Sequence, residues 1–165
     1  MGSAKKSAIG VMSGLQADGK NIDAVSSFGL NCCQIVSWDS TLCTKKVAQA
    51  NRKRAKDQGV RVTALWAGVP GPSAWNFTRG PVTLGLMPVE YRMARMEALM
   101  RWADFAIELG APAIVTHCGF LPENLTDEAF EPVCVAIRVV AEHCEKLGLG
   151  FWFETGQETP VTLLR

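Results

Sequence analysis

Glu154 and Glu158 stand four residues apart in "GFWFETGQETP", Gly150 to Pro160, just after a run of bulky apolar residues. A carboxylate at the mouth of a buried strand is costly unless it is paired, hydrogen-bonded or bound to a cation. Glu154 therefore reads as a metal ligand or catalytic base, with a capping or salt-bridged acid as the plain alternative. Glu158 can share the same cation or move a substrate proton. Equally, it can be a first-turn acid before a helix starting near Pro160, where the helix dipole favours negative charge. His117 follows the apolar run Ile114-Val115-Thr116 and suits metal binding, proton transfer or a hydrogen bond to a substrate hydroxyl, beside the alternative of a structural histidine. Trp38, Trp66 and Trp75 fall at or beyond the ends of apolar runs. Their faces suit the C–H faces of sugars, or else they roof the core. Trp152 reads as core, and His143, inside a helical stretch, as a surface residue.

The elements that must position these groups alternate strand and helix. Short apolar runs at Ala8–Met12, Cys32–Val36, Val60–Trp66, Ala113–Thr116 and Leu149–Phe153 read as strands apolar on both faces, as in a parallel sheet covered by helices. Helices are expected over Ile22–Phe28, Thr44–Gln58, Val89–Leu109 and Asp127–Leu147. Gly29, Gly59, Gly110 and Gly148 stop them, and Thr126 stands at an N-cap position. Ala67 to Pro88 is a Gly/Pro-rich loop long enough to suggest a role in binding. Five βα units fit either an open doubly wound sheet or part of an eight-fold barrel, and both place ligands at the carboxyl ends of the strands. Ser13, the Ser37-Trp38-Asp39 run, Trp66, His117 and Glu154 are thus expected to converge on one rim. No linker or composition shift divides residues 1–165, so a single domain is expected.

Bulk properties narrow the function classes. A net charge of +1 offers no basic excess for a nucleic-acid partner. No apolar stretch approaches a membrane span. The basic start Met1–Lys6 lacks the apolar core of a secretory signal. Cys32, Cys33, Cys43, Cys118, Cys134 and Cys144 contain no CxxC pair and read as reduced thiols of a cytoplasmic protein rather than a zinc site. No GxGxxG follows the first strand, and no GxSxG elbow occurs.

"IGVMSG", "LW" with "PGP" and "WNF", "VTHCGFLPEN" and above all "FWFETGQETPVTLLR" resemble the sugar-phosphate isomerase/epimerase family of the xylose-isomerase-like barrel superfamily. That superfamily also contains apurinic-site endonucleases. The resemblance implies a (β/α)8 TIM barrel of which this chain holds about the first five βα units. It also implies a divalent cation (Mn²⁺, Mg²⁺ or Zn²⁺) held by Glu, Asp, His and Glu at successive strand ends. Glu154 matches the first of those ligands, Glu158 a carboxylate that contacts substrate, and His117 the strand-four histidine. The endonuclease branch has a histidine at the end of strand three, where this chain has Trp66, so a sugar or sugar phosphate is the expected substrate. The function implied is ketose isomerisation or epimerisation through an enediolate, weak or absent in so short a chain. A non-catalytic half-barrel that self-associates through its exposed sheet edges is the alternative, and an apurinic-site nuclease a third reading.

Overall fold

In a computed structural model, the structure describes residues 8–156 and 158–165; the basic Met1–Lys6 stretch read above lies outside the described residues. Five strands, β1 (Val11–Gly14), β2 (Cys32–Ser37), β3 (Arg61–Ala67), β4 (Ala113–His117) and β5 (Gly150–Glu154), form one parallel sheet in the order β1-β2-β3-β4-β5. The connecting helices are α1 (Asn21–Ser27), α2 (Lys45–Asp57), α3 (Val89–Leu109) and α4 (Phe130–Lys146), with a one-turn α5 (Pro160–Leu163) after β5. Consecutive strands lie side by side throughout. A doubly wound sheet reverses its order at a switch point, so the order seen here selects the partial barrel over that alternative.

The core lies on one face of the sheet. Ile35, Leu65 and Ile114 alternate out of the strands to meet Val47, Leu99, Trp102, Ala106, Val133 and Val140 of α2, α3 and α4. The opposite face carries only a small cluster of Val36, Ala64, Trp66 and Val115. Register places Gly14, Val36, Trp66, Val115 and Trp152 in one row across that face. No helix among the described residues covers it, and its outer members are open: Met12 is 55% and Trp152 50% exposed. Trp152 is therefore not core, as its apolar neighbours suggest, because strand alternation turns it to the uncovered face.

Other boundaries differ locally. β1 starts at Val11 and runs through Ser13, whose hydroxyl donates to the Asn21 carbonyl of α1, so Ser13 faces the helices and not the rim. α4 begins at Phe130 with Ala129 as its N-cap. Thr126 is drawn instead into a turn, its N–H and hydroxyl both donating to Asn124 Oδ1. Thr44 caps α2 by accepting from the Val47 N–H, and Gly110 closes α3 in the left-handed region at φ 82°.

The loop 68–88 is held down along its length by α3. Arg95, fully buried, donates from Nε to the Pro70 carbonyl (3.0 Å), from Nη1 to Gly85 (2.7 Å) and from Nη2 to Pro72 (2.8 Å). Arg92 donates to the Leu86 and Met87 carbonyls, and Trp102 Nε1 to Gly68. The far end of the loop is tied to β4, where Leu86 N–H donates to the Cys118 carbonyl. Gly85, at φ 62°, passes so close to that carbonyl that a β-carbon would lie 2.0 Å from it.

Arg95→Met keeps most of the buried volume but leaves three carbonyls without their donor. A loss of about 3 kcal/mol is expected in guanidinium denaturation, with an unchanged m-value. Wild-type stability would show that the loop is held by other means.

Candidate functional site

The carboxyl ends of β2 to β5 bring most of the singled-out residues together. Trp66, the penultimate residue of β3, lies 4.8 Å from Trp38 between ring centroids, and Trp75 from the clamped loop stands 6.3 Å from Trp38 and 6.5 Å from Trp66. Trp75 also meets the His117 ring edge-on at 5.2 Å. β4–β5 pairing sets His117 opposite Glu154, and the Trp66 indole N–H donates to Glu154 Oε2. Met12, Val36, the three tryptophans and Glu154 line an open cleft of about 310 Å³. Trp66 is buried, whereas Trp38 and Trp75 are half exposed and offer ring faces to a ligand.

The two carboxylates lie in different environments. Glu154, expected to be buried, is exposed, because β5 has one strand neighbour among the described residues and the sheet face beside it is open. Glu158 is only 6% exposed. Its Oε1 accepts from the Gly156 N–H at 3.2 Å, and its Oε2 has no partner among the described residues. The Thr159 hydroxyl, and not Glu158, caps α5. Glu158 also acts on Cys118. Burial pushes that thiol well above its usual range, and the carboxylate adds to the rise.

His117 is 5% exposed, and its Nδ1 accepts from the Gly119 N–H at 3.0 Å. An accepting Nδ1 leaves the ring proton of the neutral imidazole on Nε2. Nε2 is buried and has no acceptor among the described residues. Directly before it lies Gly156, where a β-carbon would fall 1.6 Å from Nε2. His117 is thus set as a hydrogen-bond donor, and that tautomer offers no lone pair on Nε2 to a metal.

Asp39 is not part of the cleft. It accepts from the Thr41 N–H and hydroxyl and caps a 3-10 turn, and those bonds hold its carboxyl below the usual carboxylate range. His143 pairs with Asp104 at 3.0 Å on the helix layer. All six cysteines are free, and no group of three His, Cys, Asp or Glu among the described residues is placed to hold a metal ion. Glu154 offers one carboxylate with one oxygen already engaged by Trp66, whereas divalent cations want several oxygen or nitrogen ligands. These residues do not by themselves fit the cation that the resemblance implies.

Two contributors escape sequence reasoning. Glu123, in the β4–α4 loop, accepts from the Thr159 N–H (2.8 Å) and hydroxyl (3.0 Å) and from the Thr162 hydroxyl, fixing α5 behind Glu158. Those donors, the Thr162 hydroxyl foremost, hold its carboxyl below the usual range. Gly156 is the other, and only its contact with His117 shows why it carries no side chain. Glu123 lies 36 residues from Thr159, so no local spacing signals it.

Strand order, one-sided helices and a rim built from successive strand ends define a partial TIM barrel. No family model matches the chain, and no curated protein matches it. Solved structures do. A xylose isomerase domain protein from Planctomyces limnophilus superposes with a TM-score of 0.86 at 28% identity, over 94% of this chain and 56% of that one. A D-tagatose 3-epimerase-like protein gives 0.66 at 14% identity, over 94% and 59%. A 3-keto-D-glucoside 4-epimerase from E. coli gives 0.61 at 17% identity, over 88% and 55%. The chain is that of a xylose-isomerase-like barrel, corresponds to its N-terminal portion, and spans about half the length of the solved proteins it matches. No helix among the described residues is long and apolar enough to cross a membrane.

Histidine labelled with ¹⁵N is expected to report His117 as the Nε2–H tautomer, with an unprotonated Nδ1. A proton on Nδ1 would contradict the Gly119 hydrogen bond and reopen Nε2 as a ligand.

Proposed function

We propose that these residues are one half of a sugar isomerase or epimerase site acting on a ketose. The observation that carries the reading is the indole platform of Trp38, Trp66 and Trp75 beside His117 and Glu154 on one rim. A sugar ring or chain laid on the indoles buries its C–H face. His117 Nε2–H, covered by Gly156, would donate to a substrate oxygen once the loop after β5 moves aside. Glu154, or Glu158 where the loop lets it reach, takes the proton from the carbon beside the carbonyl, and the C–H electron pair moves into the enediolate. For isomerisation the same carboxylic acid returns the proton to the neighbouring carbon while the hydroxyl proton passes to the former carbonyl oxygen; for epimerisation a second acid on the opposite face supplies the proton. A divalent cation (Mn²⁺, Mg²⁺ or Zn²⁺) would take Glu154 as one ligand and its remaining ligands from outside these residues, so the chain alone is expected to turn over weakly or not at all. A cytoplasmic setting belongs to the same proposal and is supported by the six free thiols.

A second reading has its own support. The open sheet face with Met12 and Trp152, and the free edges of β1 and β5, suit a non-catalytic half-barrel that pairs with another copy of itself. An apurinic-site nuclease is disfavoured by the net charge of +1 and by a cleft that no lysine or arginine among the described residues lines.

Titration with D-fructose or D-tagatose is expected to change tryptophan emission saturably. Trp75→Ala, at a half-exposed position, should weaken binding about fivefold. Absence of saturable binding by either ketose, or binding indifferent to Trp75, would overturn the ketose reading. Sedimentation at tens of micromolar is expected to show dimers or larger species, and a monodisperse monomer would remove the self-association reading.

A further inference from the structure

Among the described residues, Glu154 makes no ion pair, and no basic side chain lines the cleft around it. What surrounds it is aromatic: three indoles within 4.8 to 6.5 Å of one another, meeting at 42°, 86° and 52°, so that their faces do not all turn the same way. The Trp66 N–H engages one carboxylate oxygen, and Glu154 lines the cleft. This donor set is too poor for a divalent ion. It has instead the parts that hold an organic monocation: π faces whose quadrupole attracts positive charge, an anion at the edge, and no competing lysine or arginine. The same surroundings repel a phosphate, which needs N–H donors or cations that the lining does not supply.

We propose that the cleft selects an ammonium-bearing sugar, an amino ketose whose protonated amine lies against Trp75 and Trp38 with Glu154 as its counter-ion. This rests on the ketose reading above and narrows its substrate class. The carbon chain packs on the indoles, and the ammonium adds cation–π and ion-pair attraction. Both act at half-exposed positions, where each is modest. 1-Amino-1-deoxy-D-fructose is therefore expected to bind about five- to tenfold tighter than D-fructose at neutral pH and low salt. The advantage should shrink as salt rises.

Tryptophan emission titrations of the full chain with D-fructose, its 1-amino derivative and D-fructose 6-phosphate test this, each repeated on Glu154→Gln and Trp75→Phe. The expected order is amino ketose, then D-fructose, then the phosphate. Glu154→Gln should abolish most of the amino ketose's advantage, read as the ratio of the D-fructose and amino-ketose dissociation constants measured on the same variant. Trp75→Phe, which keeps a weaker π face, should reduce that advantage by about half. If D-fructose binds and the amine gives no gain, the ammonium proposal is overturned and the ketose reading stands. A phosphate that binds tightest overturns it as well. If none of the three binds, both fail together. A gain that survives Glu154→Gln would show that the amine sits elsewhere.

Discussion

The rim depends on one constraint, the parallel register of β4 against β5. It sets Val115 opposite Trp152 and His117 opposite Glu154. Side chains alternate with a period of two, so a slip of a single residue would turn Glu154 into the helix layer and Trp152 with it. Trp66 then could not reach the carboxylate, and the cleft would lose the one charged wall it has among the described residues. The register is fixed on the helix side, where Ile114 is fully buried and Phe151 and Phe153 pack against the same core as α4.

A second level of order lies outside the strands. Trp75 belongs to a long loop, and a loop side chain makes a poor binding wall unless its backbone is held. α3 supplies that hold through Arg92, Arg95 and Trp102, all of them donors to loop carbonyls. These are long-range contacts of a helix interior with a segment of proline and glycine. They convert the least regular part of the chain into a surface that stands over His117 at a defined angle.

Much of this was legible in the sequence. The apolar runs marked all five strands within a few residues, and Val89–Leu109 matched its helix at both ends because a Pro precedes it and Gly110 follows. The convergence of Trp38, Trp66, His117 and Glu154 followed from the rule that strand ends share a rim. Facing was less legible. Trp152 and Glu154 are open because the sheet has one covered face, and apolar composition in a short strand cannot tell one covered face from two. Glu158 was open between a proton-handling carboxylate and a first-turn acid before Pro160; its burial was not legible, because the Glu123 bonds that hold α5 come from 36 residues away. Arg95 gave no sign of its role, since a lone arginine on a helix reads as solvated until the carbonyls it meets are known.

The place of β5 at the side of the sheet has a consequence for local stability. β3 and β4 are hydrogen-bonded along both sides, so their backbone opens only with much of the fold, whereas β5 has a strand on one side alone among the described residues. Among the described residues the carboxylate thus stands on a strand tied on one side, while Trp66 stands on one tied on both. The charge and the ring faces of the cleft therefore rest on backbone of unequal local stability, and a strand bonded to the other side of β5 would even them out.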